Sequence, residues 1–362
     1  VKGDKLKKLR EDLAKKDREI VRALNDRAAL SVKIGEWKRS RRLSIYDPSQ
    51  ESRVLKSVRE MNEGPLPDSS LGGIYNEIFS SSRALQEEMS VAFLGPEGSY
   101  SHLAALSHFG NCIRLVPQGS ISEVFDAVER KQSRMGIVPV ENSLEGSVKA
   151  TLDRLITTPL QIRAEKFLRI SHCLISSRKG LKKVEKIYSH PQAIAQCRQW
   201  LKMNLPGVPL FEAASTAAAA RKAALEKGSA AIASSLAAKQ YGLKIVAEEI
   251  EDYHLNTTRF VVIGEGRTGV SGESDRDKTS ILMGSAHVPG ALHRALGPFV
   301  AQGLNLLRIE SYPMRERNWE YLFFLDFEGH ANGRKTADCL RQMEKVTTFI
   351  KILGSYPRGE EP

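Results

Sequence analysis

Apolar residues recur at helical spacing from the start of the chain. Leu6, Leu9, Leu13, Ile20, Leu24 and Ile34 share this period, and from residue 4 no glycine or proline intervenes before Gly35. One unusually long helix over 4–39 is predicted, too long to stand without a second surface to cover it. Asp47 followed by Pro48 reads as an N-cap with proline in the first turn, opening a second helix to about Met61. The breakers from Asn62 to Asp68 form a loop, and Leu71 to Met89 a third helix. At Ser90 the pattern changes. Val91–Leu94 is a short apolar run ending in Gly95-Pro96-Glu97-Gly98, a strand followed by a turn. Further strands are predicted at 135–140, 172–175, 186–188, 230–233 and 259–263, separated by helical patterns such as 122–131 and 216–227, and this alternation predicts largely parallel sheets. Residues 264–277 are polar and glycine-rich, a linker by composition. Residues 278–356 read strand, helix, strand, strand, helix, strand, an α+β unit of ferredoxin-like order.

These shifts divide the 362 residues into a helical region (1–89), an α/β region (90–265), a linker (266–277) and a small α+β region with its tail (278–362). With 41% hydrophobic and 27% charged residues the composition is that of a globular protein. No apolar stretch reaches the roughly 20 residues of a membrane span. The first ten residues are too charged for a signal peptide, and Cys112, Cys173, Cys197 and Cys339 form no close pair, so a reducing cytoplasm is the expectation. The net charge of +11 is compatible with nucleic acid. However, the excess Lys and Arg lie mostly in the first 60 residues among acids, and an anionic small substrate accounts for them equally well.

On the first helix Arg27 and Lys38 are eleven residues apart, which returns to within about 20° of the same face. Arg10 lies about 100° away and suits a neighbouring protomer's site better than its own. Ser82 and Gln86 share a face of the third helix, and Asp47 and Glu51 open the second. In order and spacing these residues, with Leu9-Arg10-Glu11, Asp17, Asn25-Asp26-Arg27 and Ile34-Gly35, resemble the all-helical chorismate mutase domain over 4–89. Gln50 stands where that family usually has arginine. The resemblance implies a pericyclic rearrangement that uses orientation and cations without acid–base chemistry. Arg10 and Arg27 would clamp carboxylates, and Lys38 and Gln86 would donate to the ether oxygen. Asp47, Ser82 and Glu51 would complete the site, Glu51 being protonated or taking a hydroxyl proton.

The α/β region carries five short signatures: 93–101 (FLGPEGSYS), 139–147 (PVENSLEGS), 189–193 (SHPQA), 215–219 (STAAA) and 256–260 (NTTRF). Each sets small hydroxyl or amide residues at a strand end or helix start, where free N–H groups attract carboxylates. Singly each is commonly a cap or a turn. Together they resemble prephenate dehydratase over 90–265. The implied catalytic domain has two lobes like a periplasmic binding protein, about 90–167 with 248–265 and 168–247, the cleft between them holding the site. Thr258 would assist the departing hydroxyl, and Arg259, Asn142, Ser143, Ser99 and Thr216 would hold carboxylates. Gly146 and Phe260 would line the pocket, with Glu141 and His190 as competing acids. Gly264-Glu265-Gly266-Arg267-Thr268-Gly269 matches GxGxxG in letters, but no apolar helical pattern follows, so no dinucleotide site is expected. No metal or cofactor motif occurs.

Pro289-Gly290-Ala291-Leu292, Asn305-Leu306, Glu310-Ser311-Tyr312-Pro313 and Trp319-Glu320-Tyr321 resemble the ACT regulatory domain over 278–356. This implies phenylalanine held by two loops between paired domains, through Gly290, Ala291, Leu292, Asn305, Glu310 and Ser311. Tyr312 replaces that motif's usual arginine. The three resemblances imply an enzyme that turns chorismate into prephenate and prephenate into phenylpyruvate, feedback-inhibited by phenylalanine. A homodimer or higher homo-oligomer is expected, with neither nucleic acid nor membrane as partner. Two readings stay open beside it. One is a dehydratase whose helical region only dimerises, the other a sensor on a binding-protein fold without catalysis.

Overall fold

The computed structural model describes residues 2–266, 277–313 and 321–361. They fall into two compact units, Val1–Met89 with Phe109–Arg114, and Ser90–His108 with Leu115–Pro362.

The first unit is helical: α1 (Lys2–Ser40), α2 (Pro48–Glu60) and α3 (Asp68–Gln86). Asp47 caps α2 as expected, accepting from the Gln50 amide. α3 begins earlier than its apolar pattern suggests, directly after the extended Pro67, and stops at Gln86 because Glu87 turns to extended backbone. The core holds Tyr46, Val58 and Phe79, and the Phe109 ring joins Tyr46 at 5.6 Å between centroids. Segment 109–114 is tied to α3 through Asn111 Nδ2 to Glu77 (2.7 Å) and the Cys112 amide to Ser80 Oγ (3.0 Å). The apolar residues of α1 form no core here: every residue from Asp4 to Asp26 is exposed.

The second unit starts with β1 (Ser90–Leu94), α4 (Tyr100–Phe109), β2 (Arg114–Gln118), α5 (Ile121–Glu129), β3 (Met135–Asn142), β4 (Gly146–Ser147), α6 (Lys149–Thr157) and β5 (Gln161–Arg169). The chain crosses to a second lobe of β6 (Cys173–Ser176), β7 (Lys186–Ser189), α7 (Pro191–Gln196), α8 (Arg198–Asn204), β8 (Leu210–Glu212), α9 (Thr216–Leu225), β9 (Ser229–Ala233), α10 (Ser235–Gln240) and β10 (Lys244–Ala247). It returns as β11 (Thr257–Gly264), between β3 and β5. The first sheet runs β2-β1-β3-β11-β5 and the second β10-β6-β9-β7-β8. Both are mixed, which corrects the expectation of largely parallel sheets. β11 is antiparallel to both neighbours, and β6 to β9 and β10, because the chain enters and leaves each lobe at the crossings. Strands β2, β5, β8 and β10, absent from the sequence reading, alternate too weakly to stand out.

The last sheet has β12 (Asp277–Gly284), α11 (Ala291–Gln302), β13 (Leu306–Pro313), β14 (Tyr321–Glu328), α12 (Arg334–Glu344) and β15 (Phe349–Pro357), in the order β13-β14-β12-β15. It packs on the first lobe within one apolar cluster containing Leu282, Tyr312, Phe324 and Leu353 beside Val138, Ile162 and Val261. Lys351 of β15 donates to the carbonyls of Leu155 (3.0 Å), Ile156 (3.0 Å) and Thr158 (2.6 Å) at the end of α6, where unpaired carbonyls need a cation. Residues 267–276, including most of the expected linker and the end of the GxGxxG match, lie outside the described residues, as do Trp319 and Glu320.

Candidate active sites

A cleft of about 490 Å³ opens between the two lobes of the second unit, lined by residues of all five signatures. Ser99, Asn142, Gly146, His190, Thr216, Thr258 and Phe260 all reach it. The starts of α4, α7 and α9 border it, so three helices turn their N-terminal ends toward it. Ser215 caps α9 through the Ala218 amide (3.0 Å), leaving Thr216 at the mouth. The His190 ring caps its own helix, accepting from the Gln192 amide (3.3 Å), so that nitrogen is already engaged. Ser99 Oγ donates to the Leu94 carbonyl (3.0 Å), pinning the turn after β1.

Thr258 is nearly buried, and its Oγ1 accepts from Asn142 Nδ2 at 2.9 Å. Asn142 is fixed from both ends. Its amide nitrogen also donates to Asn256 Oδ1 (2.8 Å), and its oxygen accepts from the amides of Leu144 (3.0 Å) and Glu145 (3.2 Å). Because Asn142 supplies the proton in its bond to Thr258, the threonine's own O–H remains free to donate.

Three expected residues do not line the cleft. Ser143 pins the return of the chain, donating to the Leu255 carbonyl (3.1 Å) and accepting from the Thr257 amide (3.0 Å). Glu141 pairs with Arg308 of β13 at 2.9 Å. Arg259 corrects the sequence reading most. Side chains alternate along a strand, so the one after Thr258 points to the other face of β11. There its guanidinium meets Glu165 (2.8 Å), Asp326 (2.6 Å) and Tyr356 Oη (3.0 Å), beside Lys278, which reaches Glu165 at 2.6 Å. The two buried cations face two buried carboxylates. Attraction to Arg259 and Lys278 outweighs burial and holds the Asp326 carboxyl below its ordinary range, and the surrounding acids raise the Arg259 pKa further.

In the helical unit α1, α2 and α3 gather Arg27, Lys38, Asp47, Glu51, Ser82 and Gln86. Arg27 donates to Ser82 Oγ (2.9 Å), and Lys38 lies 3.8 Å from Asp47 and donates to the Ile45 carbonyl (3.2 Å). Gln86 lies against Gly35, where a Cβ would come within 2.7 Å of its Cγ, so this contact requires glycine. Glu51 has a partner that the sequence reading missed. One nitrogen of the buried Arg83 donates to both its oxygens, at 2.7 and 2.8 Å, and another to the Phe109 carbonyl (2.8 Å). Burial pushes the Glu51 carboxyl up, and Arg83 opposes that only in part. Arg10 is not brought to this group. It lies seventeen residues before Arg27, about 26 Å along the helix at ~1.5 Å per residue, fully in the exposed stretch.

A pocket in the last sheet is lined by Ser285–His293, Tyr321 and Phe323, and so takes in Gly290, Ala291 and Leu292 at the start of α11. Asn305, Glu310 and Ser311 do not line it. Asn305 precedes β13, while Glu310 and Ser311 lie on that edge strand, Glu310 3.5 Å from Arg308.

Comparison with known proteins matches this arrangement region by region. Residues 9–87 match the family described as chorismate mutase type II, 91–268 that of prephenate dehydratase, and 279–345 the ACT domain. A bifunctional chorismate mutase/prephenate dehydratase of Aquifex aeolicus is 40% identical over 360 residues, covering 98% of this chain and 99% of that protein. The chain belongs to the bifunctional chorismate mutase/prephenate dehydratase family. Among solved structures, a prephenate dehydratase from Arthrobacter aurescens in complex with L-Phe is 32% identical with a TM-score of 0.69, covering 75% of this chain and 90% of that one. Another, described as a quorum quenching acylase, is 31% identical with a TM-score of 0.69, covering 74% and 97%. The family's two reactions are the rearrangement of chorismate to prephenate and the loss of water and carbon dioxide from prephenate to give phenylpyruvate. Within this family assignment, Tyr100, His172, Gln196 and Asn256 also line the dehydratase cleft. Tyr100 and Asn256 fall inside quoted signatures. His172 and Gln196 carried no signal, since a histidine before a strand and a glutamine ending a short helix are ordinary residues in sequence.

Proposed function

We propose that Thr258 is the group that assists loss of the prephenate hydroxyl. Electrons of the breaking ring–carboxylate bond flow into the ring, the C–O bond breaks, and the leaving oxygen takes up one proton overall, giving water, carbon dioxide and phenylpyruvate. A threonine is a weak acid, but aromatisation supplies most of the driving force, so a hydrogen bond to the departing oxygen suffices. The observation that carries this reading is the Asn142 amide donating to Thr258 Oγ1, which leaves the hydroxyl proton directed elsewhere. Helix starts around Ser99, His190 and Thr216 take the carboxylates. An acylase reading has less support, because Thr258 accepts from an amide where a nucleophile would face a base.

In the helical unit Arg27, Lys38, Ser82 and Gln86 hold chorismate, and Arg10 of a second copy completes the site. Two copies pair along α1, whose Leu13 and Trp37 are 62% and 50% exposed. Phenylalanine occupies the pocket at Gly290–Leu292, with the partner's copy of β13 closing it, and represses the dehydratase. The test is a pair of assays on the purified chain, chorismate loss and phenylpyruvate formation, each with and without phenylalanine. Thr258→Val should lower phenylpyruvate formation about 100- to 1000-fold and leave chorismate loss unchanged. Unaltered phenylpyruvate formation in that variant would remove Thr258 from the mechanism.

A further inference from the structure

Where the chain crosses between the two lobes, one hydrogen-bonded line joins both crossings to Thr258. Tyr100 Oη lies 2.8 Å from His172 Nδ1 and 2.7 Å from the Ser171 carbonyl. His172 Nε2 lies 2.9 Å from Gln196 Oε1, which is 3.2 Å from Asn256 Nδ2. Asn256 Oδ1 then accepts from Asn142, the residue that holds Thr258. His172 stands on the outward crossing, Asn256 on the return, and Gln196 at the end of α7 in the second lobe.

Donor and acceptor rules fix the amide ends along this line. Asn256 uses its oxygen for Asn142 and its nitrogen for Gln196, so the Gln196 atom facing both Asn256 and His172 is the oxygen. Gln196 presents that oxygen to His172, so His172 Nε2 carries a proton, while Tyr100 spends its single hydroxyl proton on the Ser171 carbonyl beside Nδ1. Burial favours the uncharged ring, lowering the His172 pKa, although the Glu251 carboxylate accepting from its backbone amide (2.8 Å) pulls the other way. With two donors on its oxygen, Gln196 cannot exchange its amide ends. Its NH2 group is left to the cleft that Gln196 lines.

We propose that His172 is a positioning residue of the dehydratase. Its Nε2 proton locks the Gln196 amide with the nitrogen toward the cleft, as a donor to a carboxylate or carbonyl oxygen of the substrate. The same bond ties the second lobe to the crossings that carry Asn256 and hence Asn142 and Thr258. Loss of the proton donor leaves Asn256 Nδ2 as the one remaining hold on the Gln196 oxygen, which loosens the aim of the Gln196 nitrogen at the substrate.

The inference rests on the dehydratase reading of the cleft, which phenylpyruvate formation by the unaltered chain tests separately. Circular dichroism and the thermal midpoint report that each variant is folded. His172→Phe keeps the ring and removes the donor, so kcat/KM for prephenate should fall about 10- to 100-fold. His172→Gln, whose amide nitrogen can stand where Nε2 stood, should recover most of that loss, and His172→Asn, which is too short, should not. In a Gln196→Leu background the His172→Phe change should cost less than about twofold, because the group it orients is gone. Equal activity of the Gln and Asn variants, or losses that multiply in the double variant, would overturn the proposal. If His172→Phe does not fold, the Gln and Asn pair still decides.

Discussion

In the second unit, the polar side chains in the cleft and on the strands behind it find their partners within the chain. Asn142 uses both ends of its amide, Ser143 pins the return, and the buried Arg259 meets two carboxylates. The helical unit presents the opposite case. Arg27, Lys38, Ser82 and Gln86 are gathered, but Arg10 lies a long way up α1, among exposed apolar side chains. On the proposed reading, the contrast separates a site that one chain completes from one that takes Arg10 from a second copy. It also explains why the two activities should respond differently to the same perturbation.

The largest expected effect comes from breaking association. Ile20→Glu together with Val21→Glu places charge on the exposed stretch, six or more residues from both Arg10 and Arg27. Sedimentation should show a smaller species, chorismate mutase activity should fall about 100-fold as Arg10 is withdrawn, and phenylpyruvate formation should stay within about twofold. A monomer with full mutase activity would show that the helical unit completes its own site and would erase the contrast.

A smaller effect probes how the last sheet reaches the cleft. Asp326 of β14 binds the Arg259 that follows Thr258, so any shift of that strand is felt one residue from the hydroxyl to which we assign the proton. Asp326→Asn leaves Arg259 and Lys278 short of one negative charge, at a cost of about 3–5 kcal/mol in stability. Phenylalanine inhibition should need about tenfold more effector, read from the half-inhibiting concentration. The sign of the pH effect follows from the depressed Asp326 carboxyl. Its stabilisation is present above the ordinary carboxylate range and is lost as the pH falls through the lower folded value. Unaltered inhibition in the variant would mean that the signal bypasses this ion cluster.

The sequence made the three-part order, the long first helix, the α2 cap and the residues meeting at the cleft legible, because caps, breakers and short signatures are local. What it hid was non-local. Arg259 lies within a signature, yet strand alternation sends it to the far face, where Asp326 and Glu165 wait from other strands. Arg83 shows no motif, and only folding brings it to Glu51. The parallel-sheet expectation failed for the same reason. Alternating helices and strands cannot reveal that β11 returns between β3 and β5 from another lobe.

The smallest expected effect concerns Gln50, where related mutases usually carry arginine. Gln50 is exposed in the first turn of α2, and its backbone amide is held by Asp47. An arginine there would add a cation beside Glu51, but Arg83 already donates to both Glu51 oxygens. The positive end of the α2 dipole also disfavours a cation in that turn by about 0.3–1 kcal/mol. Gln50→Arg should therefore change mutase kcat/KM by less than about threefold, with a small drop in thermal midpoint. A rise of more than about tenfold would mean that the cation on α3 does not substitute for one on α2. The helical unit would then be a weakened site kept chiefly for pairing, and the comparison with the cleft would become one between a working site and a declining one.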